Sequence, residues 1–114
     1  MSDCIFCKIG NGEIPSEKVF ESANVLAFKD INPEAPVHII IIPRRHIASV
    51  NDIEDQDVNI IGNIFQAAKE IARHLGIADE GYRVVTNCGE RAGQTVKHLH
   101  YHLLGGRDLK WPPG

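Results

Sequence analysis

The sequence predicts an α+β domain in which a mainly antiparallel sheet of about five strands packs against one long helix. Three observations support this. One segment, 55–75, has apolar residues at helical spacing, several short strand-like segments follow one another through tight connections, and helices do not alternate regularly with strands. The 114 residues are 43% hydrophobic and 24% charged, which suffices for one core. A single domain spanning residues 1–114 is therefore expected.

Charge and cysteine content limit the binding partners and the cellular compartment that we expect for the chain. Twelve basic against fifteen acidic residues give a formal net charge of −3, so the chain offers no overall positive field to nucleic acid or to an anionic membrane. The longest aliphatic run, Ile39–Ile42, is far shorter than the ~20 residues of a membrane-spanning helix. The opening residues lack the basic and apolar pattern of a secretion signal. An odd count of three cysteines fits a reducing compartment, and a cytoplasmic protein is expected.

The first half of the chain predicts a short helix, a hairpin and a buried strand. Residues 4–10 carry Ile5, Phe6 and Ile9 at helical spacing and are followed by a glycine-bearing break. Two strand-like segments, Lys18–Glu21 and Val25–Phe28, read as a hairpin. A loop with two prolines leads to Val37–Ile42, which is apolar at both alternating sets of positions. Such a strand is expected to be covered on both faces.

The second half predicts the long helix and two more strands. Asn51 and Glu54 have the spacing of a capping box, which predicts a helix over 55–75. Its expected buried stripe repeats at steps of three and four: Val58, Ile61, Phe65, Ala68, Ala72 and Leu75. Strands are predicted at Tyr82–Thr86 and at Val96–Leu104, separated by a glycine-bearing loop at 87–94.

Three histidines alternate along the last predicted strand. Because successive side chains of a strand point to opposite faces, His98, His100 and His102 share one face and the intervening apolar residues share the other. Two functional interpretations remain open on these residues alone. The imidazoles could ligate a metal, or one neutral imidazole could act as a nucleophile or general base while its neighbours tune it.

The loop before these histidines favours the second interpretation. Residues 89–95 contain two glycines, the amide Gln94 and the hydroxyl of Thr95, and such a loop can present backbone N–H groups to an anion. An anion pocket beside neutral imidazoles suits phosphoryl or nucleotidyl transfer.

The alternation His98-Leu99-His100-Tyr101-His102-Leu103-Leu104, preceded by Gly93-Gln94-Thr95 and followed by Gly105-Gly106-Arg107, resembles the signature of the histidine triad (HIT) family. The ending Trp111-Pro112-Pro113-Gly114 is similar to that of the Hint branch, the nucleoside phosphoramidases. The resemblance implies a HIT-like fold and a homodimer whose sheets join across a two-fold axis. It also implies that Trp111 approaches the partner's site.

The resemblance also implies an activity, the hydrolysis of P–N bonds in purine nucleoside 5′-phosphoramidates, including lysyl-AMP, through a nucleotidyl-histidine intermediate. His100 would be the nucleophile, and His102, His38 and Thr95 would complete the catalytic set. Hydrolysis of dinucleoside polyphosphates, or nucleotide binding with negligible turnover, are the alternatives.

A purine nucleotide pocket is implied by the same comparison. Asp30 would accept hydrogen bonds from the ribose hydroxyls, and apolar side chains would enclose the base. Other loop and strand residues would lie near the phosphate and sugar. The full set implied is Asp30, Ile31, Phe6, Ile9, Phe28, Ile40, Asn87, Gly93, Gln94, Thr95, His100 and His102.

The two N-terminal cysteines form a C-x-x-C pair, which by itself fits a redox pair, half of a metal site or two free thiols. Bacterial HIT proteins that carry this pair resemble the chain more closely than Hint members that lack it. That resemblance implies a structural zinc held by Cys4, Cys7, His46 and His98, with no cofactor needed for catalysis.

Overall fold

The computed structural model describes residues 3–114 and confirms the α+β class. Five strands form one sheet in the order β1-β2-β3-β5-β4, and every neighbouring pair is antiparallel. The strands are β1 (Lys18–Glu21), β2 (Val25–Lys29), β3 (Val37–Pro43), β4 (Tyr82–Thr86) and β5 (Tyr101–Gly105), and the helices are α1 (Ile5–Gly10) and α2 (Val58–His74). Short 3-10 turns at Val50–Asp52, Asp55–Asp57 and Glu90–Ala92 were not predicted.

The central strand β3 separates two apolar clusters, as its double-sided hydrophobic pattern predicts. Ile39 and Ile41 pack in the cluster beneath α2, whereas Ile40 and Ile42 pack on the opposite face with Phe6 of α1. A strand that is buried on both faces has no solvent-facing set of positions, which explains its unbroken apolar run. Helix α1 closes the second cluster with Phe6 and Ile9, but Ile5, expected on the same face, is exposed.

The start of the long helix differs from the prediction. Helix α2 begins at Val58, after a 3-10 turn, instead of at residue 55. Asn51 is not its cap, since the Asn51 N–H donates to the hydroxyl of Ser49 at 3.2 Å. The carboxylate of Asp57 instead accepts from the Glu54 N–H at 2.9 Å. Glu54 is itself the N-cap of a capping box with Asp57, three residues later in the chain than the predicted Asn51–Glu54 box.

The buried stripe of α2 is also rotated from the predicted one. Val58 is 60% exposed and Phe65 is 50% exposed in the single chain. The prediction that α2 buries them within one chain was therefore wrong. Small residues explain the difference, because alanines let a helix axis approach a sheet more closely than larger side chains do. The side chains that face the sheet are Ile64, Ala67, Ala68, Ile71 and Ala72.

The last strand is shorter at its start than predicted. It begins at Tyr101 and not at Val96, because the Leu99 N–H donates to the carbonyl of Ile47 in a loop and so is not paired in the sheet. The alternation of faces nevertheless extends beyond the strand. Leu99, Tyr101 and Leu103 all lie in the cluster beneath α2. No helix within residues 3–114 is long and apolar enough to cross a membrane.

Candidate active site

His100 is held in one tautomer by its own backbone. It lies immediately before β5, is buried, and places Nδ1 2.7 Å from the carbonyl oxygen of His98. A carbonyl oxygen can only accept a hydrogen bond, so in neutral His100 the proton is on Nδ1. The Nε2 lone pair is therefore available to an electrophile.

Two neighbours fix where the His100 ring lies. The hydroxyl of Thr86, at the end of β4, donates to the His100 carbonyl at 2.8 Å. The ring of Phe6 approaches the imidazole edge-on, with 5.0 Å between centroids. An edge-to-face aromatic contact is favourable and restricts ring rotation. Position and tautomer of the imidazole are thus both set before any ligand arrives.

His38 and His102 form a pair across β3 and β5. The Glu34 N–H donates to His38 Nδ1 at 3.0 Å, so the proton of neutral His38 is on Nε2. That atom lies 2.8 Å from His102 Nδ1 and 3.3 Å from a carboxylate oxygen of Asp30. His102 accepts at Nδ1 and consequently has its proton on Nε2. The Glu34 N–H at Nδ1 and the Asp30 carboxylate at Nε2 therefore favour the same tautomer of His38, and through His38 the tautomer of His102.

The pKa of His102 is lowered to about 4. Burial is the main cause because it penalises the charged imidazolium, and the adjacent His100 and His38 rings lower the pKa further, while Asp30 partly offsets them. At neutral pH His102 is uncharged and presents a neutral Nε2–H donor. A hollow of about 320 Å³ opens beside this ring and is lined by His38, Asn87 and His102 among others.

Most of the apolar residues implied for the base pocket come together. Phe6, Ile9, Phe28 and Ile40 are buried in one cluster on the face of the sheet away from α2. Ile31 does not join them and is 92% exposed. The carboxylate of Asp30 also accepts from the Asn32 N–H at 2.8 Å, in a turn.

Hydrogen bonds of the Gln94 side chain stabilise the loop before the histidines, a role that the sequence did not reveal. Its amide nitrogen donates to the carbonyls of Ala48 and Val96, and its amide oxygen accepts from the Gly89 N–H. The side chain therefore braces the loop. Gly93 adopts a left-handed conformation (φ 88°), which glycine tolerates best. Thr95 lines a hollow beside Cys4 and His46.

Cys4, Cys7, His46 and His98 meet beside this loop, with their ligand atoms within 4.8 Å of one another. His98 Nδ1 lies 3.2 Å from Cys4 Sγ and 3.2 Å from His46 Nδ1, and Cys7 Sγ lies 3.4 Å from His46 Nδ1. Zinc–ligand bond lengths in a tetrahedral site separate ligand atoms by roughly 3.3–3.8 Å. The spacing of this cluster therefore fits a closed four-ligand site.

The hydrogen bonding of His98 also fits a metal ligand. Its Nε2 lies 2.9 Å from the Pro43 carbonyl oxygen, which assigns the proton to Nε2 and leaves the Nδ1 lone pair facing the two thiols. A backbone carbonyl at the far nitrogen is the usual partner of a metal-bound histidine. Burial, with the neighbouring Cys4, raises the pKa of the Cys7 thiol, and a bound cation would act in the opposite direction.

Sequence reasoning missed three groups that shape the site. They are the Thr86 hydroxyl, the Glu34 N–H and the guanidinium of Arg107, which contacts the Glu34 carbonyl. Backbone and long-range contacts of this kind carry no local sequence signal. Of the three, only Arg107 lies in a motif noted in the sequence, Gly105-Gly106-Arg107.

The fold is a five-stranded antiparallel sheet. Its site has one imidazole with a free ring nitrogen, next to two imidazoles that are hydrogen-bonded to each other. Together these features define a histidine triad protein. The comparison with known families agrees, because the profile of the HIT domain matches residues 11–109. The chain belongs to the HIT family.

Relatives match along nearly the whole chain. A HIT-like protein of Synechocystis is 47% identical over 112 residues, which is 98% of this chain and 97% of the relative. The adenylylsulfatase HINT1 of Arabidopsis thaliana is 46% identical over 115 residues, covering 99% of this chain and 78% of the relative. The crystal structure of a HIT family hydrolase from Legionella pneumophila is 52% identical, with a TM-score of 0.96 and coverage of 98% and 100% of the two chains.

Proposed function

We propose that the protein hydrolyses the P–N bond of purine nucleoside 5′-phosphoramidates, including lysyl-AMP, with His100 as the nucleophile. The observation that carries this proposal is the 2.7 Å contact of His100 Nδ1 with the His98 carbonyl, which frees Nε2. Two relatives support this proposal. The Legionella relative is a HIT family hydrolase, which supports hydrolysis, and the plant relative is named an adenylylsulfatase, which supports an adenylyl substrate.

The proposed reaction proceeds in two displacements. His100 Nε2 bonds to the α-phosphorus while the P–N bond breaks, and the amine leaves with the bonding pair and takes up a proton. The His98 carbonyl stabilises the positive charge that the ring acquires. Water then attacks phosphorus, the bond to His100 breaks, and the nucleoside monophosphate and a proton are released. A covalent intermediate divides one difficult substitution into two easier ones.

The neighbouring groups have distinct proposed roles. His102, neutral and protonated on Nε2, donates to a phosphoryl oxygen whose charge grows in the transition state. His38 and Asp30 hold His102 in that tautomer, and the exposed face of Asp30 accepts from the ribose hydroxyls. Thr95 and Asn87 complete the phosphate surroundings, and the apolar cluster around Phe6 accommodates the purine.

The alternatives differ in their leaving group or in turnover. A dinucleoside polyphosphate hydrolase would expel a nucleotide, and a nucleotide-binding adaptor would bind AMP without turning substrate over. The name of the plant relative adds sulfate as a leaving group to be compared. All of these ligands share the adenylyl group.

A panel of substrates tests the proposal. Adenosine 5′-phosphoramidate carrying a fluorogenic amine, adenylyl sulfate and diadenosine tetraphosphate are compared for AMP release, and mass spectrometry after rapid acid quench follows an AMP adduct on His100. We expect the highest kcat/KM with the phosphoramidate, and an adduct. AMP binding with no turnover of any substrate would establish the adaptor instead.

A structural zinc is proposed for the cluster of Cys4, Cys7, His46 and His98. Zinc there would tie α1 and the loop after β3 to the segment that carries His100. The four protein ligands fill a tetrahedral site and leave no open position for substrate, so the metal is assigned a role in folding only. Thiolate ligands of this kind persist in a reducing cytoplasm.

A homodimer is proposed from the surfaces that a single chain leaves uncovered. Strand β4 is an edge of the sheet, and Tyr82 at its start, with Val58 and Phe65 on α2, is exposed. A second copy placed across a two-fold axis would pair β4 with its equivalent and cover these apolar side chains. Light scattering at micromolar concentration should give twice the 12.6 kDa of one chain. A mass of one chain would contradict the dimer.

A further inference from the structure

Arg107 donates hydrogen bonds to the backbone of the loop that precedes β3. Its Nε and Nη2 atoms donate to the carbonyl oxygen of Glu34 at 3.1 and 3.0 Å, and Nη1 donates to the Asp108 carbonyl at 2.9 Å. Two donors of a planar guanidinium on one oxygen fix both the distance and the direction of that carbonyl. The charge makes these hydrogen bonds stronger than neutral ones.

The same residue, Glu34, supplies the N–H that determines the His38 tautomer. This N–H lies on the other side of the Glu34 α-carbon from the carbonyl that Arg107 holds, and it reaches His38 Nδ1 at 3.0 Å. Holding the carbonyl therefore restrains the rotation of the backbone that aims the N–H. If the N–H turned away, only the Asp30 carboxylate would still favour a proton on Nε2 of His38. The proton would then exchange between Nδ1 and Nε2, and the donor to His102 would be present only part of the time.

The chain is shaped to bring Arg107 to this position. Gly106 has a φ of 89°, and a Cβ atom there would lie 2.9 Å from Cβ of Pro36. Glycine is therefore required both for the turn after β5 and for close passage over the proline loop. The turn leaves β5 where Gly105 pairs with Val37, so Arg107 comes alongside the loop that ends in β3.

We propose that Arg107 is a positioning residue for the reaction: through the backbone of Glu34 it holds the tautomers of His38 and His102, so that His102 presents Nε2–H to the substrate. This rests on the proposed function for its effect on turnover. The tautomers themselves exist without substrate.

Arg83 provides a matched control. Its Nη2 donates to the carbonyls of Leu109 at 3.2 Å and Lys110 at 2.8 Å, so it anchors the same C-terminal segment but belongs to another strand, β4. If Arg107 only ties down the C-terminal segment, removal of either arginine should have the same effect. If Arg107 positions the histidines, only its removal should change their protonation pattern.

The experiment compares the wild-type protein with Arg107→Ala, Arg107→Lys and Arg83→Ala by long-range ¹H–¹⁵N NMR of the histidine ring nitrogens, without substrate. We expect His38 and His102 in the wild type and in Arg83→Ala to show unprotonated Nδ1 and protonated Nε2. Arg107→Ala should show averaged nitrogen shifts for His38. Arg107→Lys, which retains a donor, should lie between them, and serves alone if the alanine variant does not fold.

Kinetics complete the test. With the phosphoramidate, Arg107→Ala should lower kcat about tenfold or more, with KM within about twofold, since misplacement of a catalytic group slows the chemical step more than binding. Unchanged histidine tautomers in the Arg107 variants would overturn the proposal, as would altered tautomers with unchanged kcat. A wild type that has these tautomers but no turnover would refute the proposed function and leave the control of the tautomers by Arg107 to be decided by NMR alone.

Discussion

The Nδ1 atom of His100 lies 2.7 Å from the carbonyl oxygen of His98, two residues earlier in the same chain. The backbone that carries the imidazole thus also determines which of its nitrogens is free. Side-chain substitution cannot remove this acceptor, so the orientation of His100 must be tested through its other contacts.

Thr86 offers such a test. Thr86→Val removes the 2.8 Å hydrogen bond to the His100 carbonyl while keeping a similar shape. We expect kcat to fall by about tenfold, because a nucleophile displaced by a fraction of an ångström attacks less effectively. Thr86→Ser keeps the hydroxyl and should stay near wild type. Equal rates for the valine and serine variants would show that the hydroxyl does not position His100.

Replacement of the nucleophile should separate binding from chemistry. His100→Ala is expected to bind AMP with nearly unchanged affinity and to lose about 10³-fold or more in kcat, since a covalent route has no substitute group. Calorimetry measures the first quantity and phosphoramidate turnover the second. Residual activity within about tenfold of wild type would exclude His100 as the nucleophile.

The pKa of His102 predicts how stability responds to acid. In the unfolded chain a histidine titrates near 6.5, whereas in the folded protein His102 titrates at about 4. Between these values the unfolded state binds the proton more readily. The stabilisation is therefore complete above pH 6.5 and is lost as the pH falls towards 4.

His102→Gln should remove this contribution. Urea unfolding of wild type and variant at several pH values between 7.5 and 4.5 isolates it, because other titrating groups are common to both. We expect the wild type to lose stability relative to the variant by roughly 1 kcal/mol per pH unit at most in this range. Parallel pH curves for the two proteins would show that His102 is not shifted as described.

The Cys/His cluster predicts metal content and metal-dependent stability. Protein purified without chelator should contain about one zinc per chain, and Cys7→Ser should contain much less, because a four-ligand site loses a thiolate. Chelator should lower the Tm of the wild type more than that of the variant. Cys88→Ser, outside the cluster, is the matched control and should retain the metal. A wild type without zinc would remove the basis for this site.

The buried carboxylate of Asp57 predicts a stability effect at the start of α2. It is 1% exposed, accepts from Arg45 Nη1 at 2.7 Å and accepts from the Glu54 N–H. Asp57→Ala should cost about 1–3 kcal/mol in the free energy of unfolding, because two donors lose their acceptor at the start of α2. Asp55→Ala, on the exposed side of the same turn, should cost less than about 1 kcal/mol. Equal losses would contradict this account.

Patterns with a fixed period were predictable from the sequence, and long-range contacts were not. The double-sided strand predicted at Val37–Ile42, which the structure extends to Pro43, and the alternation of faces around His100 follow from the spacing of apolar residues. The stripe of α2 was misplaced because apolar residues cover much of that helix, and only the sheet decides which of them, such as Ile64 or Phe65, are covered. The start of β5 was misplaced because the Leu99 N–H finds its acceptor in Ile47, fifty-two positions away.

The candidate site shows the same division between features that the sequence predicted and features that it did not. The residue types and their order along the chain indicated His38, His100 and His102 through a family resemblance, but not how they are connected. Which nitrogen of each ring carries a proton depends on backbone groups of His98 and Glu34 together with the carboxylate of Asp30, and no side-chain pattern records the backbone groups. Ile31, chosen by its position next to Asp30, is exposed because the turn after Asp30 directs the chain outward.

Alternate residues of β3 belong to different clusters, and this bears on how the protein can be altered. Ile39 and Ile41 can be repacked together with the alanines of α2, for instance in a library selected for heat resistance, while the other surface of the strand keeps its contacts. Ile40 sits among the aromatic residues next to His100, so changes there will alter stability and catalysis at once. Ile39 and Ile41 are therefore the positions at which laboratory evolution of a more stable variant can proceed without altering catalysis.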